Sequence, residues 1–183
     1  MTKFEFYLHS FAGRTFKKKF YSNFVSNLEL EGSEKVLEFG SGSGCLTGFI
    51  LKKLNQKGVL SCLDISEVAM AILKKKFKEY ENINYLLGDI NSLHLTENCF
   101  DLVIIHFVLH DIPKDKRKDI VCNLSKILKS GGKLIIREPI NKKHGIPTSE
   151  IRELMTSCSL KEVKMKTENT QNRKEIFLGT FEK

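Results

Sequence analysis

Short apolar runs alternate with amphipathic stretches along this chain, and the alternation predicts an α/β fold: a largely parallel sheet with helices on both faces. The segment from Phe11 to Leu28 carries Phe16, Phe20 and Phe24 at four-residue intervals, the spacing of one helix face. Lys35 to Phe39 reads as the first strand and runs into a glycine turn. Leu46 to Leu54 then reads as a helix closed by Gln56-Lys57-Gly58. Val59 to Leu63 is the second strand, ending on Asp64, and Ser66 is placed to cap a helix through Val68, Ile72, Leu73 and Phe77.

The second half repeats the pattern. Ile83 to Leu87 is a strand that stops at Gly88-Asp89. Phe100 to Ile105 reads as a strand whose apolar run, Leu102 to Ile105, suits a buried parallel strand, and it opens into the loop His106 to Pro113. Asp115 to Leu128 places Ile120, Leu124, Ile127 and Leu128 on one helix face, and Ser130-Gly131-Gly132 ends it. A fifth strand, Lys133 to Arg137, meets Glu138-Pro139; then come a helix from Ser149 to Ser157 and strands near Lys161 to Lys166 and from Glu175 to Phe181. No helix separates those last two strands, which suits antiparallel pairing at a sheet edge.

Composition adds limits. The 183 residues hold three prolines and no Gly/Ser-rich or low-complexity tract, so residues 1–183 are expected to form a single domain, with 1–30 as a helical segment at its start. The first residues lack a signal-peptide core, and no window nears the roughly 18 to 20 apolar residues that span a bilayer. A soluble, cytoplasmic protein without a membrane span is expected. Cys45, Cys62, Cys99, Cys122 and Cys158 are irregularly spaced and include no C-x-x-C pair, which reads as reduced thiols. The formal charge of +8 permits nucleic-acid contact. Its local form, Lys17-Lys18-Lys19 and Lys74-Lys75-Lys76 interleaved with Phe16, Phe20, Leu73 and Phe77, reads first as the solvated face of amphipathic helices.

The candidate chemistry begins at EFGSGSGC, residues 38 to 45. A triphosphate loop needs Gly-Lys-Ser/Thr, but Cys45 and Leu46 follow Gly44. A dinucleotide fingerprint would use Gly40 and Gly42 but finds Cys45 at its third position. What remains is Glu38 at a strand end, followed by Gly40, Gly42 and Gly44, where a backbone without side chains comes close to a ligand. Asp64 ends the adjacent strand, placed to accept two ribose hydroxyls, and Asp89 ends the next, with Ile90 beside it as an apolar wall for a base.

As an ordered set, VLEFGSGSG, LSCLDIS, LLGDI, FDLVIIHFVLHDIP and LKSGGKLIIREP resemble the motifs of class I S-adenosylmethionine-dependent methyltransferases, over residues 34 to 140. The similarity is greatest to the small-molecule branch that includes ubiquinone/menaquinone-type and arsenite-type enzymes. It implies a Rossmann-like, seven-stranded, mostly parallel sheet with a reversed C-terminal β-hairpin, and S-adenosyl-L-methionine as cofactor. On that resemblance Glu38 lies near the methionine amino group, and Gly40, Gly42 and Gly44 pass under the methionyl-ribose part. Asp64, with Ile65 beside it, binds the ribose; Asp89 accepts from the adenine amino group while Ile90 packs on its ring; His106 lies where the fourth strand meets the donor methyl.

Methyl transfer from a sulfonium is an in-line displacement that needs alignment and a closed site, and no metal. Where the acceptor carries a proton a base is useful, and His106, His110 and Asp111 are the catalytic candidates. His110 has a second reading as a buried, hydrogen-bonded residue holding its loop. The segment before the first strand is expected to close over the cleft, offering Tyr7, Phe11, Arg14 and Tyr21 to the acceptor, with Glu138 as a further pocket wall. Nucleic acid is not favoured as acceptor, because the fourth strand ends in His106-Phe107-Val108-Leu109 and not in [NDS]-P-P-[YFW]. The expected function is methyl transfer to a small molecule by a monomer or homodimer. RNA or protein methylation, and donor binding without catalysis, are the alternatives.

Overall fold

The computed structural model describes residues 14–140, 145–169 and 175–183, with side chains in the first helix from residue 18 onward. Its helices are α1 (Arg14–Ser26), α2 (Thr47–Leu51), α3 (Glu67–Lys76), α4 (Lys114–Ile127) and α5 (Thr148–Ser157). Its strands are β1 (Lys35–Phe39), β2 (Val59–Asp64), β3 (Ile83–Leu87), β4 (Phe100–His106), β5 (Leu128–Pro139), β6 (Lys161–Asn169) and β7 (Glu175–Glu182), with a short 3-10 turn at Leu109–Asp111. They form one seven-stranded sheet in the order β3-β2-β1-β4-β5-β7-β6. β1 to β5 are mutually parallel, while β7 lies antiparallel between β5 and β6, the reversed hairpin expected from the motifs.

Two apolar layers sandwich the sheet because successive strand residues point to opposite faces. Val36, Leu60, Cys62, Leu102, Ile104 and Ile135 meet Phe24 and Val25 of α1, Ile50 of α2, and Met70 and Leu73 of α3. The alternate residues Leu37, Phe39, Val103, Ile105, Leu134 and Ile136 meet Ile120, Val121 and Leu124 of α4 and Ile151 and Met155 of α5. Ser66 caps α3 as expected, its Oγ accepting from Ala69 N at 3.3 Å. The lysine run of α3 stays exposed, with Lys76 Nζ donating to Gly44 O at 2.8 Å.

Three expectations change. α2 is shorter than Leu46 to Leu54, since the chain turns out of the helix after Leu51. β5 begins at Leu128, well before Lys133: Leu128 already pairs with Phe100, and a register shift before Leu102 absorbs the Ser130-Gly131-Gly132 segment. The cysteines are not all reduced, for Cys122 of α4 and Cys158, just past α5, form a disulfide. Their separation of 36 residues hides the pair, but α4 and α5 pack side by side and bring the two Cα atoms to 4.7 Å. Cys45, Cys62 and Cys99 remain free. No described helix is long and apolar enough to cross a membrane.

Closing a loop of 36 residues restricts the unfolded chain, at about 4 kcal/mol in the loop-entropy account. Denaturant unfolding with and without reductant should differ by a few kcal/mol, and Cys122→Ala should abolish that difference.

Candidate functional site

The strand order reverses between β1 and β4, which opens a crevice at their carboxyl ends. The glycine turn forms its floor, held to the sheet by Gly40 N and Ser41 N donating to Leu63 O at 2.8 and 3.1 Å. The glycines differ in what requires them. A Cβ on Gly40 would lie 2.4 Å from Val108 Cγ2, and one on Gly44 would lie 2.5 Å from Phe77 Cε2, so both positions are closed by the protein itself. Gly42, at φ +53°, has nothing within 4 Å of its Cβ direction. The room for a ligand lies beside Gly42.

The acidic residues follow the strand ends. Glu38 is buried, with Thr47 Oγ1 donating to its Oε2 at 2.6 Å and the Cys62 thiol 3.7 Å away. Burial pushes its carboxyl up to about 7, against which Thr47 and Cys62 supply only neutral donors. A cation arriving beside Glu38 would therefore recover a charge that the fold alone leaves poorly compensated. Asp64 accepts from Gly42 N through Oδ2 at 2.7 Å and from Ser66 N through Oδ1 at 2.8 Å. These bonds orient the carboxylate and leave each oxygen a lone pair. Ile65, next in sequence, is 76% exposed. Asp89 is exposed and accepts from Asn91 N at 2.9 Å, while Ile90 is buried in the core beside it. Ser41 Oγ is buried without a partner among the described residues. An open glycine, an orphaned hydroxyl, a buried carboxylate and an exposed apolar side chain suit a ligand with an ammonium, a hydroxylated sugar and a flat base.

At the end of β4 the ring of His106 lies among aromatic side chains. Its centroid is 5.0 Å from Phe24, 5.4 Å from Tyr21 and 4.5 Å from Phe107. Burial, helped by the nearby Arg137 charge, lowers its pKa to about 3, so the imidazole is neutral. Phe107 follows with φ +58°, an uncommon conformation for a non-glycine residue that redirects the chain out of the strand. α1 covers this end of the crevice: Phe20 stacks on Phe107, Tyr21 faces Phe49 of α2, and burial pushes the Tyr21 phenol up to about 12.

Sequence reasoning missed Arg137. It singled out Arg14 instead, whose side chain lies outside the described residues, as do Tyr7 and Phe11. Arg137 is buried on β5, with its guanidinium 3.8 Å from the Phe20 centroid, Nη2 donating to Glu168 Oε2 at 2.6 Å, and Nη1 3.4 Å from His106 Nε2. The signal was a charged residue at the end of an otherwise apolar strand.

Glu138 is not the pocket wall expected of it. It is fully buried behind the loop after β4, its Oε1 accepting from Val108 N and Leu109 N, each at 2.7 Å, and its Oε2 from His110 Nδ1 at 2.6 Å. That hydrogen bond raises the His110 pKa. The His110 carbonyl also accepts from Arg117 Nη2 at 3.3 Å, and Arg117 pairs with Glu150 of α5 at 2.8 Å. The geometry therefore matches the loop-holding reading of His110, while Asp111 is exposed with its carboxylate 3.6 Å from His110 Nε2.

The family model described as a methyltransferase domain matches residues 37–136. A ubiquinone/menaquinone biosynthesis C-methyltransferase of Wigglesworthia glossinidia brevipalpis is 32% identical over 108 residues, covering 57% of this chain and 42% of that protein. The chain spans about half the length of the curated relatives it matches. Among solved structures, the N-methyltransferase NodS of Bradyrhizobium japonicum superposes with a TM-score of 0.76 at 19% identity, over 93% of this chain and 98% of that one. A Leishmania major protein titled a SAM-dependent methyltransferase gives 0.77 at 16%, over 96% and 75%. At those identities the structures show a shared fold.

Two outcomes follow from the site's geometry. The folded-state pKa of Glu38 lies above its ordinary value of 4.5, so between pH 4.5 and 7 the native state keeps a proton that the unfolded chain has released. Stability is lost across that window as pH rises, by up to about 3 kcal/mol. Glu38→Gln should raise the melting midpoint at pH 8 and leave it nearly unchanged at pH 4.5. Gly40→Ala, which meets Val108, should cost about 2 kcal/mol more than Gly42→Ala, which meets only the positive-φ penalty; thermal melts of the two variants compare them.

Proposed function

Because this chain belongs to the methyltransferase domain family, we propose that it transfers the methyl group of S-adenosyl-L-methionine to a small-molecule acceptor. The buried carboxylate of Glu38, short of a cation at the head of an open glycine turn, carries this reading. A phosphate-bearing ligand would be repelled there, whereas an amino acid's ammonium would be held. Asp64, oriented by two backbone N–H groups, takes the ribose hydroxyls; Ile65 flanks the base, with Ile90 buried behind it and Asp89 accepting from its exocyclic amine. Gly42 leaves space for the chain between amino acid and sugar.

The donor supplies an electrophilic methyl on a cationic sulfur, so the protein's task is to align and enclose. His106 and Phe107 form the wall at the end of β4, and Glu138 with His110 fixes the loop that continues it. α1 is the lid of the single domain, with Tyr21 against Phe49 and Cys45 at the end of the glycine turn and Phe20 over Phe107 excluding water from the reacting groups. The acceptor enters between this lid and the loop after β4. The relatives' names span C- and N-methylation, so the fold alone leaves the acceptor atom open.

Calorimetry with S-adenosylmethionine, S-adenosylhomocysteine and NAD tests the proposal: the two sulfur nucleosides should bind and NAD should not. Binding of NAD alone overturns it. Since Asp64 also accepts from Gly42 N and Ser66 N, Asp64→Asn is the cleaner probe of its role. It keeps the shape while removing the charge, and should weaken nucleoside binding about ten-fold.

A further inference from the structure

Arg137 lies under α1, against His106, and none of the donor-binding groups contacts it. Its three nitrogens have different surroundings. Nη2 donates to Glu168, Nη1 faces His106 Nε2 at 3.4 Å, and Nε is buried with no partner among the described residues. The Glu168 carboxylate is shared, because Lys166 Nζ also reaches its Oε1 at 2.7 Å. Arg137 of β5 and Lys166 of β6 thus set two positive charges against this one carboxylate. Phe20, Phe24 and Phe107 surround the guanidinium with ring faces and edges that offer no countercharge.

A guanidinium only donates, so the imidazole nitrogen facing it must accept. We infer that Arg137 is a positioning residue that holds His106 as a neutral imidazole with its proton on Nδ1, and that the acceptor this site suits is a nucleophile already anionic when it binds. The second half rests on the methyl-transfer reading above. The groups facing His106 agree with its staying neutral: Tyr21 from α1, Arg137 from β5, and, beyond Phe107, His110 of its own loop offer no carboxylate, and Glu168 of β6 is engaged by Arg137. His106 therefore serves as wall and hydrogen-bonding surface.

The chemistry balances without an enzyme base. An acidic acceptor, such as an aryl thiol, loses its proton to solvent before binding, and the positive charge at Arg137 favours that anion. In the transfer the acceptor's lone pair forms the bond to the methyl carbon, and the carbon–sulfur pair returns to sulfur. The negative charge of the acceptor and the positive charge of the sulfonium disappear together, and no proton moves.

Long-range proton–nitrogen correlation spectra of the labelled protein, with His106→Gln identifying the signals, read the ring directly. The expected result is an Nδ1–H tautomer that does not titrate between pH 5 and 8. In Arg137→Met, which keeps an apolar contact for Phe20, the titration midpoint should rise by at least about one unit and the Nε2–H form should appear. Arg137→Lys should move both back toward wild type. A wild-type ring that titrates between pH 5 and 8, or spectra unchanged in Arg137→Met, overturns the assignment.

For the acceptor, S-adenosylmethionine and aryl thiols of graded acidity are the probes. The pH at which the rate levels off should follow each thiol's own pKa, and Arg137→Met should raise KM about ten-fold with a smaller change in kcat. A rate limb fixed at one pH across the series, or transfer to neutral amines alone, overturns the acceptor class. Absence of donor binding overturns the methyl-transfer reading instead, and the His106 spectra still decide what Arg137 does.

Discussion

The carboxylate of Glu138 is the point on which the site hangs. Fully buried at the end of β5, it takes the backbone N–H groups of Val108 and Leu109 and the imidazole of His110, and so sets the path of the loop leaving β4. Val108, fixed in that loop, packs where a side chain on Gly40 would stand, which ties the loop to the glycine turn. The turn in turn binds Asp64 through Gly42 N. One buried charge thus organises three strand ends, and it is tolerable there because each of its oxygens has a partner.

A second buried charge, Arg137, organises the other wall. Its guanidinium joins the C-terminal hairpin through Glu168 to α1 through Phe20, with His106 between. This gives the reversed hairpin a part in the site beyond completing the sheet. The neutral, aromatic-lined His106 that results contrasts with Glu38 across the crevice, whose carboxylate is retained at a cost in stability. Two environments within one crevice push titratable groups toward their uncharged forms.

The opposite face of the sheet serves as support. The Cys122–Cys158 disulfide and the Arg117–Glu150 pair both join α4 to α5, and Arg117 also reaches the carbonyl of His110. Arg117 thereby ties that helix pair to the loop after β4.

Much of this was legible in the chain. The alternation of apolar runs determined the number and order of elements, and the apolar run Leu102–Ile105 marked β4 as a buried parallel strand. Glu38, Asp64 and Asp89 were legible as site candidates because each closes a strand, and parallel strands deliver their carboxyl ends to one edge of the sheet. Tertiary structure alone decided which glycine faces open space, because that depends on where Val108 and Phe77, 68 and 33 residues further on, come to rest. It alone moved Glu138 behind the loop after β4 and brought Arg137 beneath α1, since a strand's sequence does not say what packs over its end. It paired two cysteines whose spacing carried no motif. Sequence periodicity encodes which face a residue points to; the partner it meets there is set by chain folded back from elsewhere.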